Sequence, residues 1–294
     1  MKLQFSGHDS FICKHFWLKK GYDFINEGKS FNDELAVVDL GVGKNMVTAI
    51  SYWLKAYGIT DNSNQITELG HYLFNEKNGR DPYLEDLGSI WLLHYSLIKS
   101  DKASIYNLFF NDFRKDKFSF TKEQLLNFLI RKLKANEQKN VNANTINADI
   151  SAFIRNYLKH GYRNKRIDIE DEFSNLFIDL QFMESYQSEN ARNEIVEWYQ
   201  VENTERDELP AHVVLYSILD NDSYGMSISF TELLSGMNSP GSIFAVNDEG
   251  LFNKIEDIQE MYSEARYTES AGVRELQFKS KPDKWKILNE YYNN

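Results

Sequence analysis

Leu40-Gly41-Val42-Gly43-Lys44-Asn45-Met46-Val47 lies between two stretches of helical spacing and decides between a nucleotide loop and a helix-turn-helix. A nucleoside-triphosphate loop needs Gly five positions before Gly43, where Val38 stands, and Ser or Thr after Lys44, where Asn45 stands. No nucleotide is therefore expected. From Lys44 to Tyr57 the apolar residues Met46, Val47, Ile50, Trp53, Leu54 and Tyr57 recur at helical spacing, and Gly58 closes the run. A preceding helix over 33–40 ends at the Gly turn, so the pair predicts a helix-turn-helix unit. Backbone N–H groups at the start of the second helix, with Gly43, Lys44 and Asn45, suit a DNA phosphate, although an ordinary Gly-rich interhelical turn uses the same residues.

Working outward, Phe11 to Gly21 predicts a first helix, capped by Asp9 or Ser10 and basic at Lys19 and Lys20. Gln65 to Gly70 is expected as a short strand and turn of the winged-helix kind. Asp81-Pro82 places an N-cap before Pro at the first helical position, opening a helix through Trp91 and Leu97. Thr121, with Glu123 and Gln124 in the first turn, opens another to about Ala135. Thr145 to Lys159 has Ile146, Ile150, Phe153, Ile154, Tyr157 and Leu158 on one face, making a second helix-turn-helix candidate.

Toward the C-terminus the order is helix 211–219, strand 226–230, helix 231–236, the Ser239-Pro240-Gly241 turn, helix 248–264, and strands 266–268 and 273–279. That order again predicts a winged helix. The helix in the recognition position carries Asp248, Glu249, Glu256, Asp257, Glu260 and Glu264 against Lys254, and a polyanion repels it. A protein partner suits it better. The expected fold is mainly α with small β wings, in several domains: 1–115 winged-helix-like, 116–166 a basic helix-turn-helix segment, 167–205 an acidic connector, and 206–294 an acidic winged-helix-like domain.

The net charge of −11 hides a split along the chain. Residues 1–166 carry 24 basic against 18 acidic side chains, and residues 167–294 carry 9 against 26. Within 114–166 the excess is +9, which is a phosphate-binding face or a solvated Lys-rich surface. The residues expected at DNA are Lys14, Lys19, Lys20, Gly43, Lys44, Asn45, Thr145, Asn147, Arg155, Lys159, Arg163, Lys165 and Arg166.

Hydrophobic residues make up 42%, with 20 Phe, 17 Tyr and only 4 Pro, so packed cores are expected rather than disorder. The single cysteine, Cys13, excludes an intramolecular disulfide and a Cys-based zinc site; it reads as a small buried group. The N-terminus lacks a charged segment followed by an apolar run, and the apolar stretch 87–98 falls short of the roughly 20 residues that span a bilayer. A cytoplasmic protein is expected.

Two constellations can carry chemistry. His8 and Asp9, in a pre-helix loop near Lys14, can act as base and orienter in phosphodiester cleavage, with a divalent metal such as Mg or Mn; the bland alternative is capping by Asp9 and a structural His8. Asp81, Glu85 and Asp86 can supply hard-metal ligands, though an N-cap at Asp81 with favourable first-turn charges explains them better.

Gly7-His8-Asp9-Ser10-Phe11, then Trp17-Leu18-Lys19-Lys20-Gly21, then Leu40 to Val47, resemble segments of a bacterial family of unknown function, domain-of-unknown-function family 4007. The match continues through Thr67-Glu68-Leu69-Gly70, Asp81 to Asp86, Trp91 to His94, Ser239-Pro240-Gly241 and Ala271-Gly272. That family commonly carries Glu where Asp9 stands, Thr where Ser10 stands and a larger basic residue where Lys14 stands. Its members are similar to the SspB component of bacterial DNA phosphorothioation systems, which replace a non-bridging phosphate oxygen with sulfur and are coupled to phage defence. The resemblance implies DNA nicking, opening one strand of a duplex for a sulfur-transfer complex. It also implies partners: a cysteine desulfurase, an ATPase, and a sulfotransferase-like protein related to phosphoadenosine-phosphosulfate reductases. A non-catalytic DNA-binding adaptor, docking those partners through its acidic C-terminal domain, is the alternative.

Overall fold

The computed structural model describes residues 2–100, 102–138, 141–158, 175–189 and 193–293. The protein is mainly helical with two small antiparallel sheets of three strands each. It divides into two compact units, one of Met1–Phe109 with Asp116–Val201 and the other of Phe110–Lys115 with Glu202–Asn294. Residues 116–158 and 175–201 therefore group with the N-terminal region.

In the first unit an extended N-terminal segment precedes helix α1 (Trp17–Asn26), which starts later than the expected Phe11. Asp9 and Ser10, the expected caps, have φ of 45° and 65° rather than the extended conformation of an N-cap residue, and Phe16 is the N-cap instead. Helix α2 (Ala36–Leu40) ends at Gly41, whose φ of 59° suits a residue without Cβ, and Gly43 is the N-cap of α3 (Lys44–Ala56). Val47, Ile50, Trp53 and Leu54 form the buried face of α3, as their spacing requires.

Gln65 to Gly70 corrects an expectation. In place of a strand and turn, Thr67 caps a helix, α4 (Glu68–Phe74), accepting the Gly70 N–H at 3.1 Å and donating to the Gly58 carbonyl at 2.6 Å. A similar local competition delays α5 (Leu87–Lys99): Leu84 takes φ 55°, and Asp86 rather than Asp81 caps the helix.

Helix α6 (Ser104–Leu108) runs into a π-turn at Phe109–Phe113 and a single turn, α7 (Arg114–Asp116). After β1 (Ser119–Phe120), the Thr121–Gln124 capping box starts α8 (Lys122–Ala135), which pairs with α9 (Ala143–Tyr157). The acidic stretch expected as a connector contains a hairpin, β2 (Glu184–Glu189) and β3 (Ile195–Gln200), in sheet order β1-β3-β2. All of β2 is exposed, so its sequence lacks the polar–apolar alternation that marks a strand.

The second unit contains α10 (Ala211–Leu219), β4 (Ser227–Ser229), α11 (Phe230–Ser235), α12 (Pro240–Phe244), α13 (Asp248–Met261), β5 (Ala265–Ser270), β6 (Val273–Phe278) and α14 (Lys284–Asn293). Its sheet order is β4-β6-β5, with Ile228 opposite Leu276 and Tyr267 opposite Leu276 on the other side. Ser239-Pro240-Gly241, expected as a turn, opens α12 instead, the Ser239 hydroxyl accepting the Ser242 N–H at 3.2 Å. Residues 110–115 complete this unit. Asn111 and Asn238 exchange hydrogen bonds of 2.9 and 2.7 Å, and the buried Arg114 donates to the Ser242 carbonyl at 3.0 Å and to Asn203.

Among the described residues, no helix is long and apolar enough to cross a membrane.

Candidate functional site

The loop containing His8 and Asp9 folds inward. Leu3 and Gln138 exchange two hydrogen bonds, Gln4 N–H donates to Ser104, and Ser6 N–H reaches both carboxylate oxygens of Asp149 at 3.0 and 3.1 Å. His8 is buried, with Nε2 3.0 Å from Asp149 Oδ1 and its ring stacked on Trp53 at a centroid distance of 5.5 Å. Gly7 is required here, since a Cβ would fall 2.3 Å from the Tyr52 ring. Trp53 donates to the Phe11 carbonyl at 3.1 Å, and Arg155 donates to the Ser10 carbonyl at 2.6 Å.

His8 is thus oriented by Asp149, whereas Asp9 is exposed. The expected His8–Asp9 pair is replaced by a His8–Asp149 pair within the core. Burial also pushes the neighbouring Cys13 thiol and Tyr52 hydroxyl well up from their usual ranges, so neither is a ready nucleophile.

The described residues expected at DNA lie on three helices and at Lys14. Lys44 and Asn45 are exposed in the first turn of α3, whose N-cap Gly43 makes no side-chain capping bond and has open space around its Cα. Lys19 and Lys20 project from α1, Lys19 paired with Asp23 and Lys20 donating to the Leu40 carbonyl at 3.0 Å. On α9, Asn147 is exposed and Thr145 half-buried, but Arg155 serves the N-terminal loop, also donating to Ser151 within its own helix. Lys14 joins Asn175 in an isolated antiparallel bridge. Lys159, Arg163, Lys165 and Arg166 lie outside the described residues.

Asp81 is buried, and its two oxygens accept the Glu85 and Asp86 N–H groups at 2.9 and 3.0 Å, while Asp86 accepts from Gly88 at 2.7 Å. These carboxylates hold the turn before α5. Among the described residues, no three His, Cys, Asp or Glu side chains are grouped so as to hold a metal ion.

A family model described as "protein of unknown function (DUF4007)" matches residues 5–292. The chain belongs to this family. No curated protein matches it. The DUF4007 chain is similar in structure to a magnesium ion-bound SspB crystal structure, with a TM-score of 0.83, 27% identity, and coverage of 99% of this chain and 88% of that one. A second SspB crystal structure matches with a TM-score of 0.81, 28% identity and the same coverage.

Sequence reasoning missed three residues of this DUF4007 chain. Asp149 sits inside a basic, Asn-rich stretch and carries no motif, so nothing local connects it with Ser6 and His8. Phe16 and Tyr83 carry no reading of their own in the sequence, and both are exposed. Their signal lies in neighbours: Trp17 takes the inward position beside Phe16, and Tyr83 follows the Asp81-Pro82 turn.

Proposed function

We propose that this protein is the DNA-engaging component of a bacterial DNA phosphorothioation and phage-defence system. The single observation that carries the reading is the likeness to SspB over 99% of the chain. In this reading the first unit meets double-stranded DNA. Lys44, Asn45 and the uncapped amides of α3 suit a backbone phosphate, and Arg131 and Lys134 are exposed on α8. The second unit meets protein. Its α10-β4-α11-α12-α13-β5-β6 order supports a winged-helix reading with α13 in the recognition position, where exposed Glu249, Glu256, Asp257 and Glu260 oppose phosphate. The partners on this reading are the sulfur-transfer proteins named from the family resemblance.

The same resemblance implies that engagement ends in a nick in one strand. Magnesium is bound in one SspB crystal structure. Here Asp81, Glu85 and Asp86 do not fit an ion, because both Asp81 oxygens already accept backbone N–H groups and no three-ligand group occurs among the described residues. No step through a metal follows from them. The burial of His8, stacked on Trp53 away from solvent, favours the second reading, a non-catalytic DNA-binding adaptor.

Incubation of the pure protein with supercoiled plasmid and Mg²⁺ or Mn²⁺ separates the two. Open-circle product supports nicking; binding without product supports the adaptor. Failure to bind duplex DNA, or affinity insensitive to salt, removes both, since phosphate contacts release counterions.

A further inference from the structure

We infer that the outer face of α1, flanked by Tyr83, is a site for one unpaired nucleotide of a DNA strand. Its base would stack on Phe16 and Tyr83, and its phosphate would lie at Lys20. This rests on the DNA-binding reading above and adds a ligand class and a location to it.

Phe16 and Tyr83 are 63% and 58% exposed, yet both line one cavity of about 290 Å³ together with Lys19 and Lys20. Phe16 is held through its ring and Tyr83 through its backbone. Phe16 is the N-cap residue of α1, is followed by the buried Trp17, and packs edge-on against His15 at 5.1 Å. Tyr83 sits on the turn held by Asp81, and its carbonyl accepts from His15 Nε2 at 2.7 Å. His15 therefore ties both aromatic residues to one place. Aromatic rings fixed in solvent beside ammonium groups are the arrangement that stacks unpaired bases, whose faces are covered inside a duplex.

Charge along the cavity sets its length. Lys20 is exposed and hydrogen-bonds a carbonyl, so that bond leaves its charge for a phosphate. The first turn of α1 has no acidic residue, which leaves the positive end of its dipole toward the same region. Farther along, Asp23 pairs with Lys19, and Lys29 is held by Glu27 at 2.9 Å and Asp39 at 3.5 Å. That acidic end repels a second phosphate. The cavity therefore suits one nucleotide rather than a strand laid along the helix.

The test is fluorescence anisotropy of the full chain with a labelled oligothymidylate and with a matched duplex, comparing wild type with Phe16→Ala/Tyr83→Ala and with Lys20→Gln. Both rings are exposed, and thermal melts establish that the variants fold. The double variant is expected to lose about tenfold in oligothymidylate affinity or more, with duplex affinity retained. Lys20→Gln should reduce the slope of log affinity on log salt by about 0.7 for the single strand. Duplex binding retained with oligothymidylate affinity unchanged in the double variant overturns the nucleotide site alone, and is also the result expected if the rings dock a protein. Loss of all DNA binding in the wild type overturns both the site and the reading beneath it.

Discussion

Asp149 anchors the first unit and Arg114 the second, and the two anchors are opposite in charge but alike in use. Asp149 accepts the Ser6 N–H across 143 residues of sequence and orients His8; Arg114 donates to the Ser242 carbonyl across 128. Each is buried, and each fixes distant backbone to a helical segment. Both charges are buried and hydrogen-bonded, as a buried charge is tolerated only when its hydrogen-bonding capacity is met. The difference is in what they hold: Asp149 secures the loop of Ser6 to His8, whereas Arg114 secures an internal strap.

The largest test of this pairing is Asp149→Ala, which leaves His8 Nε2 and the Ser6 N–H without their acceptor. It should cost about 3 kcal/mol, seen as raised hydrogen exchange over residues 3–11 and a lower urea midpoint. A cost near zero would end the claim that Asp149 is an anchor. Arg114→Ala should cost about 2 kcal/mol and raise proteolysis within 202–293 while residues 3–11 stay protected. Equal loosening of both regions would break the separation between the anchors. Gly7→Ala should cost about 1–2 kcal/mol in thermal melts, since the new Cβ meets a Tyr52 ring whose hydroxyl is bonded to the Lys102 carbonyl.

The smallest effect concerns pH. Burial depresses His212 below its ordinary value, with Glu290 opposing the shift. The unfolded chain therefore takes up that proton first, so the second unit loses stability as pH falls through about 6.5 and the loss levels off below the folded value. His212 is only half-buried, and the change should be slight. His212→Gln should flatten the melting temperature across that window; an unaltered slope would assign the acid sensitivity elsewhere.

Legibility in the sequence followed the range of the forces involved. Helices α3, α8, α10 and α13 could be placed from spacing and caps, because a helix is written within a few neighbouring residues. The β5–β6 hairpin was likewise legible around Ala271-Gly272. Two misplaced elements had a stronger local competitor: left-handed Leu84 before α5, and the Thr67 cap in place of a strand. The exposed positions of Lys44 and Asn45 at the start of α3 follow from the helix boundary alone, because exposure needs no partner. The role of His8 was not legible, since its partner, Asp149, lies in a distant helix. Nothing in the sequence singles out Phe16 and Tyr83, whose exposure appears only in the folded chain.

The strap at residues 110–115 also constrains how such a gene can be rearranged. Because the second unit takes one piece from the middle of the chain and the rest from its end, a single crossover cannot transplant that unit whole. A fusion made near residue 202 would carry α10 to α14 without Asn111 and Arg114, leaving Asn238 and the Ser242 carbonyl without those partners. Successful exchange needs two breakpoints or a recipient that supplies an equivalent strap, so the two units are expected to pass through evolution as one inheritance.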